Sequence, residues 1–214
     1  FKTTISGTNA GGTDSKTLVF TIATENSSIT ATGTTSYTYT GSAQGPATAT
    51  VTGSAGAITY SYSGTGSTSY SASSTAPTNV GTYQVIASVA AEGNYNAATS
   101  DPLAFSITKA NSSITATGSS SFTYTGSAQG PATSTVTGST GAVTYSYSGV
   151  SPTVYSASST APTNVGTYEL IASVAADANY NAATSAALAF SITKADQTIT
   201  FGALSTLTYS PSGT

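Results

Sequence analysis

Few side chains in this sequence could do chemistry, and they recur in pairs. Glu92 stands just before Asn94-Tyr95-Asn96, and Asp177 just before Asn179-Tyr180-Asn181. A carboxylate beside two amides offers oxygen ligands to Ca²⁺ or hydrogen-bonding groups to a sugar. Calcium takes about six to eight oxygens, several of them carboxylate. One carboxylate per cluster falls short, so the favoured reading is a hairpin loop with its Tyr tucked onto the core. Lys109 and Lys194 lie beside Asn111 and Asp196. A Lys–Asn isopeptide bond would need a buried Lys and a catalytic acid, whereas these lysines sit where a solvated linker is expected. Asn26-Ser27-Ser28 and Asn111-Ser112-Ser113 fit the N-glycosylation triplet, a pattern that Ser-rich chains produce by chance. Pairs such as Thr48-Ala49-Thr50 suggest an ice-binding face, but are expected on different strands rather than stacked on regular rungs. No catalytic, cofactor-binding or metal-ligating residue is assigned, and no cofactor is expected.

Composition excludes more. The 214 residues contain no His and no Cys. That removes the Ser-His-Asp and Cys-His nucleophile systems and the usual zinc, copper and haem ligands. Four Lys, no Arg and a net charge of −3 leave no electrostatic footprint for nucleic acid. Apolar runs span only a few residues, far short of the ~20 that cross a bilayer as a helix. The chain opens at Phe1 without an initiator Met or a visible signal peptide and reads as an internal piece of something longer. Aromatic and β-branched residues are spread evenly and strong helix formers are scarce, so the elements that hold these side chains should be strands.

The organisation is a repeat. Residues 26–110 match 111–195 without a gap, and 69 of the 85 positions are identical. Leu18, Phe20 and Ile22 keep the phase before the first unit, and Asp196-Gln197-Thr198-Ile199-Thr200 and Tyr209 keep it after the second. The expected domains are therefore 1–25 (the end of a preceding repeat), 26–110, 111–195, and 196–214 (the start of a following one). A period of 85 exceeds solenoid repeats and suits one self-contained β domain.

Alternation with period two marks strands at Ile29–Ala31, Tyr37–Tyr39, Ala49–Val51, Ile58–Tyr62, Tyr83–Val89 and Leu103–Ile107, with Tyr70 on a short fifth strand. Gly and Pro punctuate them. Seven short strands per unit predict an all-β fold: tandem small antiparallel β-sandwich, Ig-like domains in an extended array. The Tyr residues are expected to point inward and carry the core, with Ser and Thr as the outer face. Asn79-Val80-Gly81-Thr82-Tyr83 and Asn164-Val165-Gly166-Thr167-Tyr168 have the form of a tyrosine corner, or alternatively of an ordinary turn before a strand. Tyr60 or Tyr62 stands where an immunoglobulin-like strand would carry a core Trp.

Quoted in order, the unit carries Tyr39-Thr-Gly-Ser-Ala-Gln-Gly-Pro46, Ala76-Pro-Thr-Asn-Val-Gly-Thr-Tyr83, Gly93-Asn-Tyr-Asn-Ala-Ala98 and Phe105-Ser-Ile-Thr-Lys-Ala110. This resembles the bacterial Ig-like and MBG-type tandem repeats of giant cell-surface proteins, among them SprB-like gliding adhesins of Bacteroidetes exported by the type IX system. Asn9-Ala10-Gly11-Gly12-Thr13 looks like the end of an Ig-like repeat, and Asp196-Gln-Thr-Ile-Thr-Phe201 like the start of a related MBG subtype. The resemblance implies a secreted, extracellular stalk segment at the bacterial cell surface and transfers no catalytic residue.

The reading that follows is a non-enzymatic structural stalk that extends a binding tip away from the cell, in surface attachment or gliding motility. Its partners would be neighbouring repeats of the same chain, with surface polysaccharide or cell-envelope proteins as further candidates. No nucleic acid and no membrane insertion are expected, and lateral self-association into filaments stays open. Two alternatives compete. One is a glycan-binding repeat, in which exposed Tyr faces would stack on sugars. The other is a spacer in a secreted multidomain enzyme.

Overall fold

The structure is a computed structural model, and it describes residues 2–206. Tyr209 and the rest of 207–214 lie outside the described residues, as does the side chain of Leu18. The chain opens with a hairpin of β1 (Lys2–Asn9) and β2 (Gly12–Val19), paired antiparallel. Among the described residues no helix is long and apolar enough to cross a membrane. Every described element is a strand, and beyond the hairpin two compact units follow one another along the chain.

The first unit runs β3 (Ser28–Thr32), β4 (Ser36–Thr38), β5 (Thr48–Thr52), β6 (Ile58–Gly64), β7 (Gly81–Val89), β8 (Ala98–Thr99) and β9 (Leu103–Thr108). β3 and β5 form a two-stranded antiparallel sheet. The second sheet has the order β4-β9-β7-β6, with β8 attached to β7. The second unit repeats this as β10 (Ser113–Thr117), β11 (Ser121–Thr123), β12 (Thr133–Thr137), β13 (Val143–Gly149), β14 (Gly166–Val174), β15 (Ala183–Thr184) and β16 (Leu188–Thr193). The fold is thus the expected all-β one, with two small β-sandwich units in tandem.

Two features depart from expectation. β4 pairs with β9 in parallel, through Ser36↔Ser106, Tyr37↔Ile107 and Thr38↔Thr108, so the larger sheet is mixed rather than wholly antiparallel. Tyr70 lies on no strand. The segment 65–80 touches β6 at few points: Gly64 N–H donates to Tyr70 O at 2.9 Å, and Tyr62 and Ser73 form one isolated bridge. A Ser- and Thr-rich stretch ending at Pro77 lacks the alternating apolar side chains that would hold a longer ladder. The seventh strand is instead β8, where Ser100 follows directly. The Ser100 hydroxyl accepts Ala87 N–H at 3.0 Å and donates to Asp101 O at 2.8 Å, so a side chain continues what the backbone pairing stops.

Alternation sets the core. β7 buries Tyr83, Val85, Ala87 and Val89, and β9 buries Phe105 and Ile107. β3 closes the sandwich with Ile29 and Ala31. Phe105 is the hub of the aromatics: Tyr83 stacks on it at 5.5 Å, while Tyr62 and Tyr37 meet it edge-on at 6.2 and 6.0 Å. Such pairs contribute about 0.5–1.5 kcal/mol beyond the area they bury. The expectation of inward phenols holds for Tyr62, Tyr83, Tyr147 and Tyr168. It fails for Tyr95 and Tyr124, each 40% exposed, because both sit beyond strand ends. Gly45 must lack a side chain, since a Cβ there would come within 2.8 Å of the Tyr62 ring and 3.2 Å of Phe105.

Candidate functional site

Each unit turns into its longest strand through the same corner. The Tyr83 hydroxyl donates back to Asn79 O at 2.7 Å, and Tyr168 to Asn164 O at 2.8 Å. Val85 and Leu170, two residues further on, are fully buried. The Asn-Val-Gly-Thr-Tyr segments are therefore tyrosine corners and not ordinary turns. Tyr62 takes the place of the missing core Trp: it is buried and its hydroxyl donates to Pro46 O at 2.9 Å, a bond matched by Tyr147 and Pro131.

A cleft opens beside each corner. In the first unit it has a volume of about 630 Å³ and is lined by Thr68, Tyr70, Thr75, Asn79, Val80 and Tyr83 among others. Its counterpart, about 560 Å³, includes Thr153, Tyr155, Thr160, Asn164, Val165 and Tyr168. The ring of Tyr70 meets Tyr83 edge-on at 5.9 Å, and Tyr155 meets Tyr168 likewise. The hydroxyl proton of each member of the pair is committed, Tyr70 donating to Thr75 O at 2.8 Å and Tyr83 to Asn79 O at 2.7 Å. Each cleft thus offers ring edges, threonine hydroxyls and an amide, with no acid, base or nucleophile in hydrogen-bonded relay.

The Asn-Tyr-Asn loop has a structural task. Glu92 and Tyr95 exchange backbone hydrogen bonds, closing a tight turn. Its flank then grips the chain that enters the unit. Glu25 N–H donates to Asn94 O and Asn96 N–H donates to Glu25 O, both at 2.8 Å. The Asn96 side chain accepts from Thr24 Oγ1 at 2.8 Å and donates to Asn26 Oδ1 at 3.0 Å. Asn181 Nδ2 donates to Asn111 Oδ1 in the same way at 3.0 Å. The ring of Tyr95 lies over Gly53, where a Cβ would meet it at 2.9 Å. The side-chain amides of Asn96 and Asn181 are thus engaged with the segment that enters their own unit. Among the described residues no group of three or more acidic side chains is placed to hold a metal.

The other candidates disperse. Lys109 is half-buried and Lys194 exposed, so neither is enclosed as an isopeptide lysine must be. Asn26 and Asn111 are exposed, each with its Oδ1 taken by the strap. The threonine pairs correct an expectation. Thr30 and Thr32 face Thr50 and Thr48 in register on one sheet, so the hydroxyls do form rungs. The ladder is only two strands wide, and Thr48 Oγ1 donates across it to Thr32 O at 2.7 Å.

Sequence reasoning missed two serines. Ser54 Oγ donates to Ala90 O at 2.6 Å and accepts Gly56 N–H at 3.0 Å, while Ser54 N–H donates to Ser27 Oγ at 2.9 Å. Ser139 makes the same set. Only identity between the repeats signalled them, and in so Ser-rich a chain that signal is faint. Replacing Ser139 with Ala should lower the second unit's stability by about 1 kcal/mol, read as a shifted urea midpoint.

Burial raises the pKa of four phenols above 10.0. For Tyr62 the neighbours Tyr60 and Tyr37 add to it, for Tyr83 Tyr70, for Tyr147 Tyr145, and for Tyr168 Tyr155. A phenol with a raised folded-state pKa binds its proton more tightly in the folded than in the unfolded chain. Its contribution is complete below pH 10 and is lost as pH climbs through the folded values. With no His or Cys in the sequence, thermal stability should stay flat from about pH 6 to 9 and fall steeply above 10. Melting curves across pH check this. A slope near pH 7 would contradict it.

Two stretches of the chain, residues 27–111 and 113–196, match the MBG domain family. The chain belongs to that family. A search of curated proteins returned no match. The corner, the strapped loop and the aromatic hub are thus the internal construction of two MBG repeats set in tandem.

Proposed function

We propose that these MBG repeats are a structural stalk segment of a large repetitive bacterial cell-surface adhesin, exported from the cell and holding a binding tip away from it. The observation that carries this is the pair of tandem MBG repeats identical at 69 of 85 positions. Near-copies in series suit a task in which length matters more than the chemistry of any one unit. The polar groups support it, since the corner phenols, Asn96 and Ser54 are committed within their own unit. The Ser/Thr surface carries few charges, which suits a poorly sticky shaft. Surface attachment or gliding motility are the roles in which such a stalk would act.

Removing one repeat from the parent array tests the reading. Cell attachment should weaken although the tip is intact, and surface labelling should still detect the shortened protein. Scattering from the 214-residue chain should show an elongated particle. Unchanged attachment together with a compact particle would sink the proposal. The paired clefts favour a second reading, a module for neutral polysaccharide, with Tyr70 and Tyr155 at the sugar. A glycan array separates the two: binding that is lost in Tyr70→Ala and Tyr155→Ala would establish it, and an empty array would remove it.

A further inference from the structure

Among the described residues β5 has a neighbouring strand on one side only. It pairs with β3, and β12 pairs with β10; in both units the small sheet ends there. The far edge of each therefore offers unpaired backbone N–H and C=O groups along a five-residue strand. Folded proteins usually protect such an edge with a charge, a proline or a bulge. The strands Thr48–Thr52 and Thr133–Thr137 contain no Lys, Glu or Pro, and neither do the neighbouring β3, β6, β10 and β13.

A second, separate feature lies under the same edge. Ala49 and Val51, on the inward side of β5, stay half-exposed, and Ile58 at the start of β6 is 40% exposed. In the second unit Ser134 Oγ lies 3.2 Å from the Tyr145 hydroxyl, so the edges of the two sheets face each other across the mouth of the sandwich. The mouth thus combines an open hydrogen-bonding rim with an incompletely covered apolar row. One added strand would satisfy both.

The sequence of the edge says which strand. Thr48-Ala49-Thr50-Val51-Thr52 is self-complementary about Thr50. Two copies run antiparallel would set Thr48 against Thr52, Ala49 against Val51, and Thr50 against Thr50. Small apolar groups would meet inside and hydroxyls outside, continuing the Thr30↔Thr50 and Thr32↔Thr48 ladder already present. The contact is of the isologous kind that closes a dimer. A net charge of −3 over 214 residues opposes it little. β12 offers the same strand 85 residues on, with Ser134 in place of Ala49, so each chain presents two such edges. We propose that the outer edges of β5 and β12 are seats of self-association, where a second copy of this chain adds its own edge strand antiparallel.

Sedimentation of the 214-residue chain over a concentration series tests this, with hydrogen exchange on the same samples. The wild type should form a reversible dimer or larger species, and amides of 48–52 or 133–137 should gain protection as concentration rises. The double variant Thr50→Lys, Thr135→Lys sets like charges opposite each other on the solvent face. It should sediment as a monomer throughout, with unchanged near-ultraviolet circular dichroism. Thr50→Val, Thr135→Val should associate as the wild type does or more tightly. A wild-type chain that is monomeric at every concentration overturns the proposal. So does a dimer that the lysine pair leaves intact, or one whose new protection lies elsewhere. The stalk reading stands or falls separately, because the monomeric lysine variant can still be examined for elongation.

Discussion

Replacing Phe190 with Ala should cost the second unit about 3–5 kcal/mol and leave the first unit's transition where it was. Phe190 is 4% exposed. Tyr168 stacks on it at 5.5 Å, and Phe122 and Tyr147 meet it edge-on at 5.9 and 6.1 Å. Truncation leaves a void that three rings line, and the two tyrosines among them cannot close it without breaking the bonds that fix them. Tyr168 is held by its corner bond to Asn164 O, and Tyr147 by Pro131 O. A unit of this size is stable by roughly 0.05–0.15 kcal/mol per residue, so the loss removes much of its margin. Urea unfolding followed by tyrosine fluorescence, with no Trp to mask it, should resolve two transitions in the variant. One keeps the wild-type midpoint and the other falls sharply. Phe105→Ala should reverse the assignment. A single transition shifted as a whole would mean that the two units unfold as one.

The sequence announces the parts of the fold that alternation can announce. Tyr83, Val85, Ala87 and Val89 mark β7 by period two, and the structure buries all four. The corner was only half legible: a Tyr two residues before a core position, behind Asn-Val-Gly-Thr, also fits an ordinary turn before a strand, and the Tyr83 hydroxyl on Asn79 O decides between them. β8 was not legible: a two-residue strand has no period, and it exists because Ser100 completes the ladder with its hydroxyl. Tyr70 misled for the same reason in reverse. An aromatic residue among serines looks like a strand, yet its ring is held edge-on to Tyr83 while its backbone belongs to a loop.

The candidate site was legible in its residues and not in their use. Asn94-Tyr95-Asn96 stands out as the densest polar cluster. What it contacts, the backbone of Glu25, depends on how the entry segment runs beside the loop, which spacing does not reveal. The register of β3 on β5 was likewise invisible, and it decides whether the threonines face one another. The differences between the repeats follow the same logic. Gln84 Nε2 donates to Ser63 Oγ at 3.2 Å, and where Glu169 replaces Gln84 the bond is kept with its direction reversed, Ser148 Oγ donating to Glu169 Oε1 at 3.0 Å. Asp177, in place of Glu92, reaches Thr140 N–H at 2.8 Å, where the first unit has Ala55. At these two positions a partner follows the change, while the corner segment Asn-Val-Gly-Thr-Tyr and the central phenylalanine, Phe105 or Phe190, are the same in both units.

Gly64→Ala should destabilise the first unit by about 3 kcal/mol, the upper end of what overpacking costs, although alanine is a small change and Gly64 lies at a strand end. A Cβ at this position would press on Thr68 O and come within 2.9 Å of Tyr70 N. Both are backbone atoms, so no rotamer can yield. They are also fixed: Gly64 N–H donates to Tyr70 O at 2.9 Å, Thr68 N–H to Thr65 O at 3.0 Å, and Thr65 N–H to Thr82 O at 2.9 Å. To make room, the crossing segment must lift off β6, which loosens the Tyr70 ring from Tyr83 and uncovers the cleft. Gly66, two residues on, is the control. Its φ of +61° is left-handed, but a Cβ there would find only Thr82 Oγ1, at 3.8 Å. Gly66→Ala should cost only the conformational penalty of about 1–2 kcal/mol, and the second unit already carries Ser151 at that place. Midpoints of urea unfolding should rank wild type above Gly66→Ala, and Gly66→Ala above Gly64→Ala. The reverse order would mean that backbone conformation, rather than the close approach of the crossing segment, limits stability at this turn.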